Sequence, residues 1–197
     1  MYTHPSTGIN IPELLKRYTA GVRNFDGVVL MNANLQGVHL GSIGFAWADL
    51  RGANLVGVSM IGANLCKANL YQANCDRAHF SETIFCGADL REAIFTNANL
   101  NESDLSGALL NGADLSDANL HMACLSAASL RGANLRGTRM SGAKMWKADL
   151  RGADLSGADL SDANLSEADL TGANLNATDM SETYLTGAIM PDGSVHI

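Results

Sequence analysis

The chain has 197 residues, 47% of them hydrophobic and 17% charged, with a formal net charge of −7. That length suits one domain or one repeat array, and the acidic balance argues against direct nucleic-acid binding, which needs a basic footprint. No apolar stretch approaches the roughly 20 residues of a membrane span, because Asn, Asp or Gly interrupts every few positions, so no membrane association is expected.

Residues 1–9 read as an amino-terminal tail without a basic region, an apolar run and a small-residue cleavage site, which makes a cytoplasmic location the expectation. Residues 10–21, "NIPELLKRYTAG", predict a short helix. Asn10 is the N-cap with Glu13 three residues later, Ile11, Leu14, Leu15 and Tyr18 share one face, and Gly21 is the stop. Its apolar face would plug whatever follows.

From Phe25 to Met190 the sequence has a period of five without an insertion: 34 central positions hold 23 Leu, five Phe, five Met and Cys75. Two residues before each, 24 of 33 positions are Ala, and the rest are small or β-branched. A helix or a flat strand would carry the leucines off one side at this period, whereas a short extended segment points both residues inward. Asn or Asp mostly lies between them and faces out. Of the 20 glycines, 15 fall two residues after the central position, as Gly52, Gly107 and Gly152 do, which suits a corner with positive φ. A chain that turns the same way every five residues winds into a coil whose backbone is satisfied by the coils on either side. The expected core includes Phe25, Phe45, Leu65, Cys75, Phe80, Phe85, Phe95, Leu105 and Leu155.

The pattern A(D/N)LxG, as in "ADLSG" and "ANLRG", resembles the pentapeptide-repeat family, which is common in cyanobacteria. The resemblance covers residues 22–190. It implies an all-β solenoid, a right-handed quadrilateral β-helix with four pentapeptides per coil, about eight coils and a rod roughly 40 Å long. A tail at 191–197 follows, and Val195 and Ile197 are candidates to cap the last coil, unless that coil pairs with a second copy. Monomer and end-to-end homodimer both remain open. The shift near residue 98, from a neutral half to an acidic one, marks a possible junction of two arrays.

With residues twenty apart stacked, outward columns can be read. Cys66 and Cys86 share one, close by Cα distance but with parallel side chains unfavourable for bonding, so reduced thiols are expected. Arg51, Arg91 and Arg151 each follow an Asp by two residues and are read as self-neutralised. His39 and His79 lie two coils apart, about 9.6 Å, too far to share a metal without a third ligand. No catalytic motif, metal set or cofactor signature emerges, and the expectation is a protein that is not an enzyme and uses no cofactor.

One side carries Trp47, Lys67, Lys144, Trp146, Lys147 and Tyr184. Two readings stand: the tryptophans lie flat over neighbouring corners, or they form a protein-contact patch. At the carboxyl end, Asp154, Asp159, Asp162, Glu167, Asp169, Asp179 and Glu182 belong to a stretch without Lys or Arg after Ala153. Eight acids from Asp154 to Asp192 would give roughly 1.4 Å of rod per charge, close to the roughly 1.7 Å of DNA. The ranking is a rigid scaffold for an unknown protein partner. The alternative, implied by the resemblance, is a DNA-mimicking binder of DNA gyrase or topoisomerase IV, as in quinolone-resistance members. This sequence differs from those members in having no loop between repeats and no carboxyl-terminal dimerising helix.

Overall fold

A computed structural model describes residues 9–197, so the expected tail at 1–9 falls outside the described residues except for Ile9. Helix α1 spans Ile11–Thr19, shorter at each end than the expected 10–21 because the outer residues are its caps. Asn10 Oδ1 accepts the Glu13 N–H at 2.9 Å, Pro12 sits in the first turn where no N–H is needed, and Gly21 leaves at φ 96°. Leu14 is fully buried, and Ile11, Leu15 and Tyr18 pack beside it on the first coil. The Tyr18 hydroxyl donates to the Gly41 carbonyl at 2.9 Å, tying the plug to the coil.

Parallel bridges join residues twenty apart from Asn24↔Gly44 to Asp169↔Ile189, four to a coil, and they run through residue 98 unchanged. Each side of the coil contributes a single bridged residue rather than a longer strand, because only three residues separate one two-residue corner from the next. The hydrogen bonds of one repeat show how the backbone is satisfied. Leu105 and Gly107 donate to Cys124 and Ser126 of the next coil at 2.7 and 2.9 Å, and Leu109 donates back to Ala88 at 2.9 Å. Ala108 closes the corner onto Leu105 at 3.0 Å, and the remaining N–H, of Ser106, donates to Asp104 Oδ1 at 2.9 Å. All five donors are satisfied, and the outward Asn or Asp caps the corner as well as facing water.

Where that acidic or amide residue is missing, the preceding coil can supply the cap. Gly44 has no side chain, and Ala46 donates instead to Asp26 Oδ1 at 2.9 Å. Ser129 stands in the cap position before Arg131, whose N–H goes to Asn111 Oδ1 at 3.0 Å. Every corner residue at five-residue spacing from Gly27 to Gly187 has φ between 54° and 74°, whether or not it is glycine.

The core is a continuous column. Phe45, Leu65, Cys75, Phe80, Phe85, Phe95, Leu105 and Leu155 are fully buried, and Phe25 is buried at the helix end. Phe80, Phe85 and Phe95 meet edge to face with centroids 5.2 to 6.3 Å apart. Thr83, Ser103 and Thr138 replace Ala in the inner column, and their hydroxyls donate to the carbonyls of Met60, Leu100 and Leu135 at 2.7 to 2.8 Å.

Residues 191–197 turn back and pair antiparallel, Ile189 with Val195, which covers one side of the last coil. Val195 and Ile197 point into solvent and do not plug the core, because this pairing uses the backbone and turns their side chains out. Leu175, Met180, Leu185 and Met190 are left half-buried. Among the described residues, the N–H groups of Leu175, Met180 and Leu185 and the carbonyls of Ala173, Thr178 and Thr183 have no coil to pair with.

Candidate functional site

The coil brings Trp47, Lys67, Trp146 and Lys147 to one corner, with Lys144 and Tyr184 on the adjoining side. Trp47, Lys67 and Lys147 occupy the left-handed corner position, at φ 55°, 57° and 57°, where glycine is the unstrained choice. Trp47 is 55% exposed, with the Lys67 ammonium 5.8 Å from its ring centre. Trp146 is 43% exposed, its indole N–H donates to Glu167 Oε1 at 3.3 Å, and the Lys147 ammonium lies 4.3 Å from its ring and 3.3 Å from Glu167 Oε2. Tyr184, 64% exposed, stands in the same outward column as Lys144, two coils on.

The two Trp–Lys pairs are about five coils, roughly 24 Å, apart along the axis. Between Lys67 and Trp146 the corner carries Cys86, Gly87, Ser106, Gly107, Ser126 and Ala127, so two aromatic knobs flank a floor of small side chains. The coil leaves about half of each tryptophan exposed.

At the same corner Cys66 and Cys86 are joined by a disulfide, with Cα atoms 4.7 Å apart. The expectation of reduced thiols fails for this pair. One coil of rise puts the two Cα atoms inside the disulfide range, and at a corner the side chains can lean together rather than stand parallel. Cys75 and Cys124 are free, and burial pushes the Cys75 thiol up, leaving it un-ionised.

The acidic residues do not form one strip. Asp154, Asp159 and Asp169 lie on three different sides, and each caps a corner by accepting the N–H of Ser156, Ser161 or Thr171 at 2.9 to 3.0 Å. Asp179 does the same for Ser181 at 3.0 Å. Hydrogen bonds from Ser156 and Ser181 hold the Asp154 and Asp179 carboxyls below the usual carboxylate range, so both stay ionised. Arg136 and Arg151 reach Asp154 and Asp169 at 3.1 and 3.5 Å, and Glu167 belongs to the Trp146 knob. Asp159, Asp162, Asp179 and Glu182 remain as a compact acidic group on one side and its adjoining corner.

Arg51, Arg91 and Arg151 are ion-paired to Asp49, Asp89 and Asp149 at 2.6 to 2.7 Å, and Arg131 shares Asp149 at 2.8 Å. A shallow depression beside Arg51, Tyr71 and Arg91 is therefore electrostatically balanced, with the Tyr71 hydroxyl donating to Glu92 at 3.1 Å. Among the described residues no group of three or more His, Cys, Asp or Glu could hold a metal ion, and no helix is long and apolar enough to cross a membrane.

The family of pentapeptide repeats matches this chain in eight copies, over residues 45–74, 73–112, 93–132, 125–157 and 153–191. Among solved structures, HetL is similar, a pentapeptide repeat protein involved in heterocyst differentiation regulation from the cyanobacterium Nostoc sp. strain PCC 7120. It is 31% identical over 95% of this chain and 100% of its own, with a TM-score of 0.34. A pentapeptide repeat protein from the Arabidopsis thaliana thylakoid lumen is 31% identical over 57% of this chain and 71% of its own, with a TM-score of 0.34. QnrB1, a plasmid-mediated fluoroquinolone resistance protein, is 21% identical over 81% of this chain and 92% of its own, with a TM-score of 0.39. Among curated proteins no sequence matches the chain significantly.

Proposed function

Because the chain belongs to the pentapeptide-repeat family, we propose that it is a non-catalytic cytoplasmic scaffold, a right-handed quadrilateral β-helix that holds a protein partner against its Trp47–Trp146 corner. The observation that carries this reading is that the two tryptophans, Trp47 and Trp146, share this corner, each against a lysine and each left about half exposed. A photo-crosslinking amino acid at Ser126, on the floor between the knobs, is expected to give a discrete adduct in cells of the source organism. That adduct should vanish when Trp47→Ala and Trp146→Ala are combined. An equal adduct from Asn119, on another side, or no adduct at Ser126, would overturn the reading.

A second reading has one observation in its favour: after Ala153 the chain has eight acids and no Lys or Arg. In this reading Asp159, Asp162, Asp179 and Glu182 imitate DNA phosphates toward a type II topoisomerase. A DNA gyrase supercoiling assay tests it, with Asp159→Asn, Asp162→Asn, Asp179→Asn and Glu182→Gln combined; the two Asn at cap positions keep an acceptor for the corner N–H. Inhibition by the parent and not by the variant supports mimicry. No inhibition by the parent at tens of micromolar removes it.

The open last coil supports an end-to-end homodimer as the assembly, since it presents both donors and acceptors beside half-buried Leu175, Met180 and Leu185.

A further inference from the structure

We propose that Cys66 and Cys86 form a reversible thiol–disulfide exchange site for low-molecular-weight thiols of the glutathione class, set into the corner that carries Trp47 and Lys67. The two residues occupy the same corner position in successive coils, and both are partly open to solvent. Their column continues with Ala46 on one side and Ser106 on the other, so the bond can join only this pair. Exposed Lys67 follows Cys66 directly, and its charge favours both a thiolate and the approach of an anionic thiol such as glutathione.

The bond is redundant for the fold, and this separates an exchange site from a structural staple. The same two coils are already joined by Leu65 N–H to Ile84 O at 2.7 Å and Lys67 N–H to Cys86 O at 2.9 Å. The next coil holds Phe85 and Gly87 in the same way, at 2.7 and 2.9 Å, over a core buried without interruption. Small domains that depend on disulfides lack such a core, and accessible bonds are the labile ones.

In the reducing direction a glutathione thiolate attacks one Sγ, the Sγ–Sγ bond breaks, and the other sulfur leaves as a thiolate that takes a proton. A second glutathione thiolate then attacks the mixed disulfide, releasing the second protein thiolate and oxidised glutathione. Two electrons pass from two glutathiones to the protein, and the reverse reaction restores the bond. Cys75 is sealed in the core and cannot intercept the mixed disulfide.

The exchange is coupled to the proposed contact corner. Trp47 donates its N–H to the Cys66 carbonyl at 3.0 Å and Lys67 donates to Cys86 at 2.9 Å, so the turns bearing both knob residues rest on the two cysteines. Only the consequence for a partner depends on the scaffold reading. The exchange itself is measured on the isolated protein.

The test uses the full chain with Cys124→Ser, equilibrated in glutathione buffers from fully oxidised to fully reduced, labelled with a maleimide and weighed intact. The expected result is no label at the oxidised end and two at the reduced end, one for each cysteine of the bond, reversibly and with unchanged circular dichroism. Two labels at every ratio would show that the bond does not form. None until the dichroism signal collapses would show a staple. Either result overturns the proposal. A Trp146→Phe variant, whose sole tryptophan is Trp47, should change its emission with the same midpoint, and emission that stays constant through the titration overturns the coupling to the corner.

Discussion

Asn111 Oδ1 accepts both the Arg131 N–H, at 3.0 Å, and the Ser129 hydroxyl, at 2.7 Å, so one coil caps a corner of the next. Replacing it by Ala strands two donors. Asn111→Ala should therefore cost about 1–3 kcal/mol, while Asn111→Asp, which keeps the acceptor, should cost less. Urea denaturation of the two variants checks this, and equal losses would show that the acceptor is not what matters.

Phe85 packs edge to face against both Phe80 and Phe95, at centroid distances of 5.2 and 6.3 Å. Phe85→Ala opens a cavity in a core without slack and should lose about 3–5 kcal/mol. Phe85→Leu restores the commonest residue of the column and should lose less. Thermal unfolding gives the order directly.

Ala127 holds φ 56° at a corner where many repeats use glycine. Ala127→Gly should stabilise the protein by about 1 kcal/mol, because Ala is disfavoured at positive φ. A lower midpoint in denaturant would show that the coil imposes no strain at its corners.

The carboxyls of Asp49 and Asp89 lie below the usual range, chiefly through hydrogen bonds from Arg51 and Arg91, and Asp76 does so through Thr96. A depressed folded value stabilises above the unfolded one, near pH 4, and that contribution is lost as the pH falls through the folded values. Asp149 runs the other way: burial raises its carboxyl against the pull of Arg131, and protonation there offsets part of the loss. Melting temperature should hold from neutrality down to about pH 4 and fall below it. A rise below that point would contradict the assignment.

Light scattering after size-exclusion chromatography should give twice the chain mass, and Leu185→Glu, placed in the open coil, should give the single mass. A monomeric parent protein would rule out the end-to-end assembly.

The core and the amino-terminal plug were legible because both rest on spacing. Leu14 and Tyr18 follow a helical face, and Leu105 and Leu155 keep a five-residue phase that no other backbone tolerates. The corners were half legible: glycine marked them, but Trp47 and Glu182 take the same φ because the stacked coil imposes it. The Cys66–Cys86 bond was misread, since column distance follows from sequence while the lean of a corner side chain does not. Glu167 was grouped with the acidic end, and only the fold set it beside Trp146 and Lys147. Of the two ways the sequence leaves open for closing the last coil, capping by Val195 and Ile197 fails, because their pairing runs through the backbone and turns both side chains outward.

Residues twenty apart are bridged throughout, and each pentapeptide occupies one side. Position along this chain is therefore also a compass bearing. Removing a whole coil between the tryptophans would draw them closer and leave them in line. Removing a single pentapeptide would rotate everything beyond it by a quarter turn and send Trp146 to a different side from Trp47, with core and ladder intact. In such a molecule a small deletion is more disruptive to recognition than a large one, and selection on the contact surface would act on the count of residues as strictly as on their kind.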